Sequence, residues 1–222
     1  MKKWFILSAF IASLCVGNAQ SSGVFIGVNY GLSSLESEFS NFTQNIGYGR
    51  WFPQNQTGKG WGVDVGYKKA LTEENGLKFY LSYHYNENKG SKNNGVFGSI
   101  DSHITQKLIT ANVDYYFNAT RFFGAYIGFG IGYQEYNPIW NWIGNTNPLM
   151  TGRGAKGGLA VPLNIGLTLN VSDSNQITLG AKIPLANYNY DNDDGNRPDW
   201  LDFSGVATFR ASIVQVGYNF TF

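Results

Sequence analysis

The stretch FGAYIGFGIGY, residues 123–133, alternates without a break. Phe123, Ala125, Ile127, Phe129, Ile131 and Tyr133 fall on one side. Gly124, Tyr126, Gly128, Gly130 and Gly132 fall on the other. A period of two marks a β-strand with two unlike faces. One face is broad, apolar and aromatic at its ends; the other is nearly bare. The length matches the roughly 9–11 residues a tilted strand needs to cross a bilayer.

The same alternation returns at residues 24–32, 61–67, 77–85, 109–117, 159–171, 177–185 and 214–222. Eight segments, an even number, let an up-and-down sheet close on itself. The connections alternate too. Residues 72–75, 118–121 and 172–175 are short and rich in Thr, Ser, Asn and Asp, the residues of tight turns. Residues 33–58, 87–103, 135–157 and 187–205 read as long loops. The pattern predicts an all-β fold: an eight-stranded antiparallel up-and-down transmembrane β-barrel with short periplasmic turns and four longer extracellular loops. A soluble barrel would turn the apolar sets inward around a ligand. Gly and small polar residues opposite them suit a narrow filled lumen better than a soluble surface. Tyr67, Phe79, Tyr115, Phe117 and Phe220 collect near one end of the strands. Tyr30, Trp61, Tyr85 and Tyr133 collect near the other, as two interfacial girdles would.

Composition agrees. Of 222 residues, 16% are aromatic, 14% are charged and 28 are Gly. Sixteen Lys and Arg against fifteen Asp and Glu leave no basic field to steer nucleic acid. At its start Lys2 and Lys3 precede an apolar run from Trp4 to Val16, and Gly17-Asn18-Ala19 puts small residues before a cut. Residues 1–19 therefore read as a cleavable signal peptide and residues 20–222 as one barrel domain. Cys15 is the single cysteine and lies inside the signal, so no disulfide is expected in the mature chain.

Five charged residues share the polar face of the strands: Asp64, Lys68, Lys78, Asp114 and Lys182. Inside an eight-stranded barrel they predict an ion-paired plug, because buried charges require partners. A plugged lumen predicts no large conductance, with narrow solute passage as the alternative. A lipid-modifying enzyme would need a catalytic set. His84 and His103, with Ser82, Ser102, Asp101 and Glu135, are the residues available, and no nucleophile motif accompanies them. No catalytic residue is assigned.

Trp51, Trp140, Trp142 and Trp200 fall in the expected loops, where they either mark recognition or pack a cap over the barrel mouth. Arg153 and Lys156 are candidates for lipopolysaccharide phosphates. The acidic run Asp191, Asp193, Asp194, Asp199 and Asp202 lacks the spacing and terminal Glu of a calcium loop. No metal site and no cofactor are expected.

The chain ends VGYNFTF, residues 216–222, with Tyr218, Phe220 and Phe222 at alternate positions. This ending resembles the terminal signal read by the barrel assembly machinery. With it, the Gly-interleaved strand 123–133, the run Leu163 to Leu167 and the run Ile177 to Pro184 resemble the Helicobacter-type outer membrane protein family, from about Asn112 onward. The resemblance implies a bacterial outer-membrane barrel with exposed loops. Family members include adhesins and pore-formers, so it implies no single activity. The large N-terminal adhesin region of some members has no counterpart here. The expected partners are outer membrane lipids, lipopolysaccharide, the assembly machinery and a host-surface ligand, with the barrel a monomer.

Overall fold

A computed structural model describes residues 22–42, 48–143, 154–192 and 205–222. The signal peptide, Arg153, Trp200 and the acidic positions Asp193, Asp194, Asp199 and Asp202 lie outside the described residues.

The strands are β1 (Gly23–Phe42), β2 (Asn55–Ala70), β3 (Asn75–Asn93), β4 (Ser99–Asn118), β5 (Phe123–Ile143), β6 (Lys156–Ala160), β7 (Pro162–Asn170), β8 (Asn175–Pro184), β9 (Tyr188–Asn192) and β10 (Gly205–Thr221). All pairings are antiparallel, and β1 pairs back onto β10 to close the ring. β6 and β7 both pair with β5 and are two lengths of one stave interrupted at Val161. β8 and β9 both pair with β10, on either side of 185–187. The ring thus has eight staves.

Each short turn is organised by one hydroxyl. Thr72 Oγ1 accepts from the Glu74 and Asn75 amides, and Thr120 Oγ1 from those of Phe122 and Phe123. In the third turn Ser172 Oγ accepts from Asn175 Nδ2 at 2.7 Å. These side chains hold the backbone in the turn, which is why Ser and Thr are favoured there.

The apolar sets point outward. Val24, Ile26, Val28, Phe79, Leu81, Ile127, Phe129 and Val216 are exposed, while the alternating Asn29, Asp64, Ser82, Asn112, Asn164 and Gln215 are buried. The cost of apolar exposure to water is avoided only if hydrocarbon covers that belt. Tyr67, Phe79, Tyr115, Phe117 and Phe220 ring its periplasmic edge; Tyr30, Trp61 and Tyr133 mark its outer edge, all exposed. Along β5, Phe123 to Tyr133 spans roughly 25 Å at ordinary strand rise and tilt.

The four long loops are shorter than the sequence predicts. β1 runs on to Phe42, β3 to Asn93 and β5 to Ile143, and β4 begins at Ser99. Only residues 94–98 join β3 to β4, through a 3-10 turn over Gly95–Phe97. The apolar parity inverts where the strands leave the belt. On β1 the outward apolar set ends at Leu32, and Leu35 and Phe39 then point inward. On β4 the switch falls between Leu108 and Ile109, on β5 between Tyr133 and Tyr136, and on β10 between Ile213 and Val214. Leu32 is paired with Val214 and Ile109 with Tyr133, so within each of these strand pairs the inversion falls at the same register. Below it the wall has oil outside; above it the wall has water outside and must keep its apolar residues within. The staves therefore continue past the membrane as a barrel-shaped head with its own core.

Tyr126 lies along the inner wall over its neighbours Gly166 and Gly180, where a Cβ would stand 2.6 and 2.0 Å from its ring and hydroxyl. Gly180→Val is expected to destabilise the barrel by roughly 1–3 kcal/mol through overpacking. The check is the urea midpoint of refolded protein, followed by its heat-modifiable gel migration; an unchanged midpoint would refute the clash.

Candidate functional site

Two interior regions lie one above the other. In the lower one, Asp64, Lys68, Lys78, Asp114 and Lys182 are all inside the barrel and between 3 and 7% exposed. Register places Lys78 between Asp114 on β4 and Lys68 on β2. Among the described residues, however, the ion pair within 4 Å is Lys107–Glu135, at 2.8 Å on the outer wall. The buried charges are joined through amides instead of the direct pairs the spacing predicts. Asn164 Nδ2 donates to Asp114 Oδ1 at 3.0 Å, and its Oδ1 accepts from Lys182 Nζ at 3.0 Å. The Tyr80 hydroxyl donates to the other Asp114 oxygen at 2.7 Å. Asn29 donates to Asp64 at 2.8 Å, and Lys78 Nζ donates to Gln176 Oε1. Gln176 passes the chain on to Asn170 and Asn170 to Asn118, at 2.7 and 3.0 Å.

An amide offers a donor to a carboxylate and an acceptor to an ammonium, so one Asn satisfies both ions without bringing them into contact. Aromatic faces supply the rest: Lys68 lies over Tyr116 at 5.1 Å and Lys182 over Tyr80 at 5.6 Å. The cavity between Asp64, Tyr80, Asp114 and Lys182 measures about 30 Å³, enough for a water or two.

His84 and His103 do not meet. His84 is 1% exposed in the lumen, with Nδ1 3.0 Å from Ser82 Oγ and Nε2 2.9 Å from Gln215 Oε1. A Gln in the third place supplies no carboxylate to orient a base. His103 sits on the opposite wall face, and Ser102 points inward to Gln56 at 3.2 Å.

The upper region is the core of the head. Leu35, Phe39, Phe52, Ile100, Ile104, Trp140, Tyr190 and Phe209 are each at most 2% exposed. Trp140 is therefore not a loop residue. It lies on β5 with its ring 5.5 Å from Phe52 and 6.3 Å from Tyr190. Trp142 is likewise on β5, edge-on at 5.7 Å to Trp51, which lies in a 3-10 turn over Tyr48–Trp51. Both are half-buried against the same core. Lys156 begins β6, where its ammonium donates to the Asp191 carbonyl and lies 5.6 Å over the Tyr190 ring. The exposed lysines just above the outer girdle are Lys59, Lys89 and Lys107, which the sequence reading passed over. Alternating charge immediately beyond the last outward aromatic is the signal that would have found them. At the other end, Phe220 and Phe222 stay exposed and edge-to-face at 5.0 Å, and Tyr218 donates to Asn175 Oδ1.

Comparison with known proteins follows the same outline. The sequence pattern of the Helicobacter outer membrane protein family matches residues 62–222. Among solved structures the chain is similar to Neisserial surface protein A, with a TM-score of 0.55 and 13% identity, covering 90% of this chain and 98% of that one. It is similar to OprG of Pseudomonas aeruginosa at 0.50 and 12%, covering 92% and 98%. It is also similar to the outer membrane protease OmpT of Escherichia coli at 0.54 and 8%, covering 94% and 99%. No curated protein sequence matches. At these identities the likeness is one of fold, a fold shared by proteins of unlike activity.

Proposed function

Because this chain belongs to the Helicobacter outer membrane protein family, we propose that it is a closed display barrel. A cleaved signal over residues 1–19 exports it, its apolar belt holds it in the outer membrane, and its head presents a rigid surface to a host ligand or to lipopolysaccharide. The observation that carries this reading is the core around Trp140, which caps the lumen and stiffens the staves beyond the membrane. The connections 43–47, 144–153 and 193–204 leave from that head; Trp200 stands as a recognition candidate and Arg153 as a candidate for lipopolysaccharide. Lys59 and Lys89, at the height of the lipid head groups, are better placed for lipopolysaccharide phosphates than Lys107 and Lys156, whose ammonium groups are engaged. Tyr218, Phe220 and Phe222 serve as the assembly signal. The separation of His84 from His103 and the Gln beside His84 give catalysis no support.

Two measurements test the proposal. Purified, folded protein is expected to give no stable conductance steps in planar bilayers; porin-like openings would overturn the closed lumen. Exchanging residues 144–153 and 193–204 for short Gly-Ser connections is expected to abolish binding of expressing cells to host epithelium while heat-modifiable migration persists. Unchanged binding would end the display reading.

A further inference from the structure

The wall carries one break that a closed display barrel does not need. Pro162 of β7 is the cross-strand partner of Pro184 of β8. Their amide nitrogens face away from each other, toward β5 and β10, and neither carries a hydrogen to give those neighbours. Just above, the Leu185 amide donates to the Val161 carbonyl at 2.8 Å. Higher still, β6 pairs only with β5 and β9 only with β10; among the described residues no backbone ladder joins β6 to β9.

Side chains bridge this seam. Lys156 donates to the Asp191 carbonyl, and the Tyr190 hydroxyl donates to the Gly154 carbonyl at 3.0 Å. Tyr188 lies against Gly158, where a Cβ would stand 2.9 Å from its ring, and stacks on Tyr136 at 5.5 Å. The lower end of the seam is level with the outer girdle, since Leu159 pairs with Tyr133. Leu159 and Leu185 flank it outside, 60 and 61% exposed.

Behind the seam is a cavity of about 10 Å³. Leu108, Ala160 and Ile213 form apolar walls, and Gln106, Gln134 and Lys182 are its polar lining. Val161, Pro162, Pro184 and Ala186 of the seam also line it. The described lumen also buries three ammonium groups (Lys68, Lys78, Lys182) against two carboxylates (Asp64, Asp114), an excess of one cation.

We propose that the seam between β6 and β9 is a lateral binding site for a single-chain fatty acid drawn from the outer leaflet. The carboxylate is held by Lys182 with Gln106 and Gln134, which balances the excess cation. The acyl chain passes Leu108, Ala160 and Ile213 and leaves between Leu159 and Leu185 into the bilayer. Tyr188 is the gate: with its ring on Tyr136 the cavity holds about one water, and rotation off Gly158 opens it. A side chain can make that movement without breaking any ladder bond, because among the described residues no ladder joins β6 to β9.

The test uses the full folded barrel in lipid nanodiscs with 11-(dansylamino)undecanoic acid as probe. Saturable binding of one probe per barrel is expected, at least tenfold weaker for the methyl ester. Tyr188→Ala should speed association several-fold. Lys182→Met should weaken binding of the acid at least tenfold. Because that variant also disturbs the lumen network, Ile213→Trp, which fills the cavity from its apolar wall, should independently abolish binding. Heat-modifiable migration confirms that each variant is folded. No saturable binding in either the wild type or Tyr188→Ala, or full binding by Ile213→Trp, would overturn the proposal. Neither result bears on conductance or host-cell binding, so display and lateral binding fail separately.

Discussion

Trp140→Ala is expected to remove roughly 3–5 kcal/mol from the head, the usual loss for truncating a fully buried Trp or Phe. Trp140 is 1% exposed and packs on Phe39, Phe52 and Tyr190 from three other parts of the chain. The collapse should stop at the height where parity inverts, because the membrane-embedded wall draws its stability from closed ladders and lipid contact. Trypsin should then cut at Lys89 and Lys92 in folded protein, while the embedded fragment keeps its heat-modifiable migration. Conductance should stay absent, since the amide network below still fills the lumen. Protection of Lys89 and Lys92 equal to wild type would show that the head has no cooperative core of its own.

The second large effect is expected in that network. Asp114 accepts from Tyr80 and Asn164 and faces Lys78 and Lys182. Asp114→Asn keeps the shape but leaves three buried ammonium groups to one carboxylate. Breaking a buried charge arrangement from one side typically costs about 3–5 kcal/mol. Adding Lys182→Met removes the stranded cation, and the double variant should regain at least half of that loss. A double-mutant cycle on urea midpoints reads the coupling directly. Additive losses would mean that the amides insulate the charges completely and that charge balance in the lumen is immaterial.

Both predictions turn on features that the sequence discloses unequally. The run 123–133 and its seven counterparts reveal strand identity, the even count and the buried face, because hydrocarbon contact forces strict alternation over the whole crossing. Lys78 and Asp114 can be set opposite each other by counting back from the turn, since an antiparallel register follows from the turn that joins its strands. Trp140 was legible as an aromatic but not as a core residue. Its neighbours on β5 are Pro138, Ile139 and Asn141, and the inward set of the head is spread over strands far apart in sequence. Each contributes one to three apolar residues in the reverse parity. Read one segment at a time, that looks like the end of a strand and the start of a loop.

The amides between the lumen charges and the opposed prolines of the seam were equally out of reach. Pro162 and Pro184 stand in separate segments, and nothing local says that they face each other. The sequence by itself determined which residues meet lipid and that the sheet closes, because one repeated short-range pattern encodes both. Only the tertiary structure decided that the staves outrun the membrane around an apolar core, that amides stand between the buried ions, and that the wall parts at one seam. Those features depend on which side chains from distant strands arrive at the same height, and that is set by ring closure and stagger, to which no single segment is sensitive.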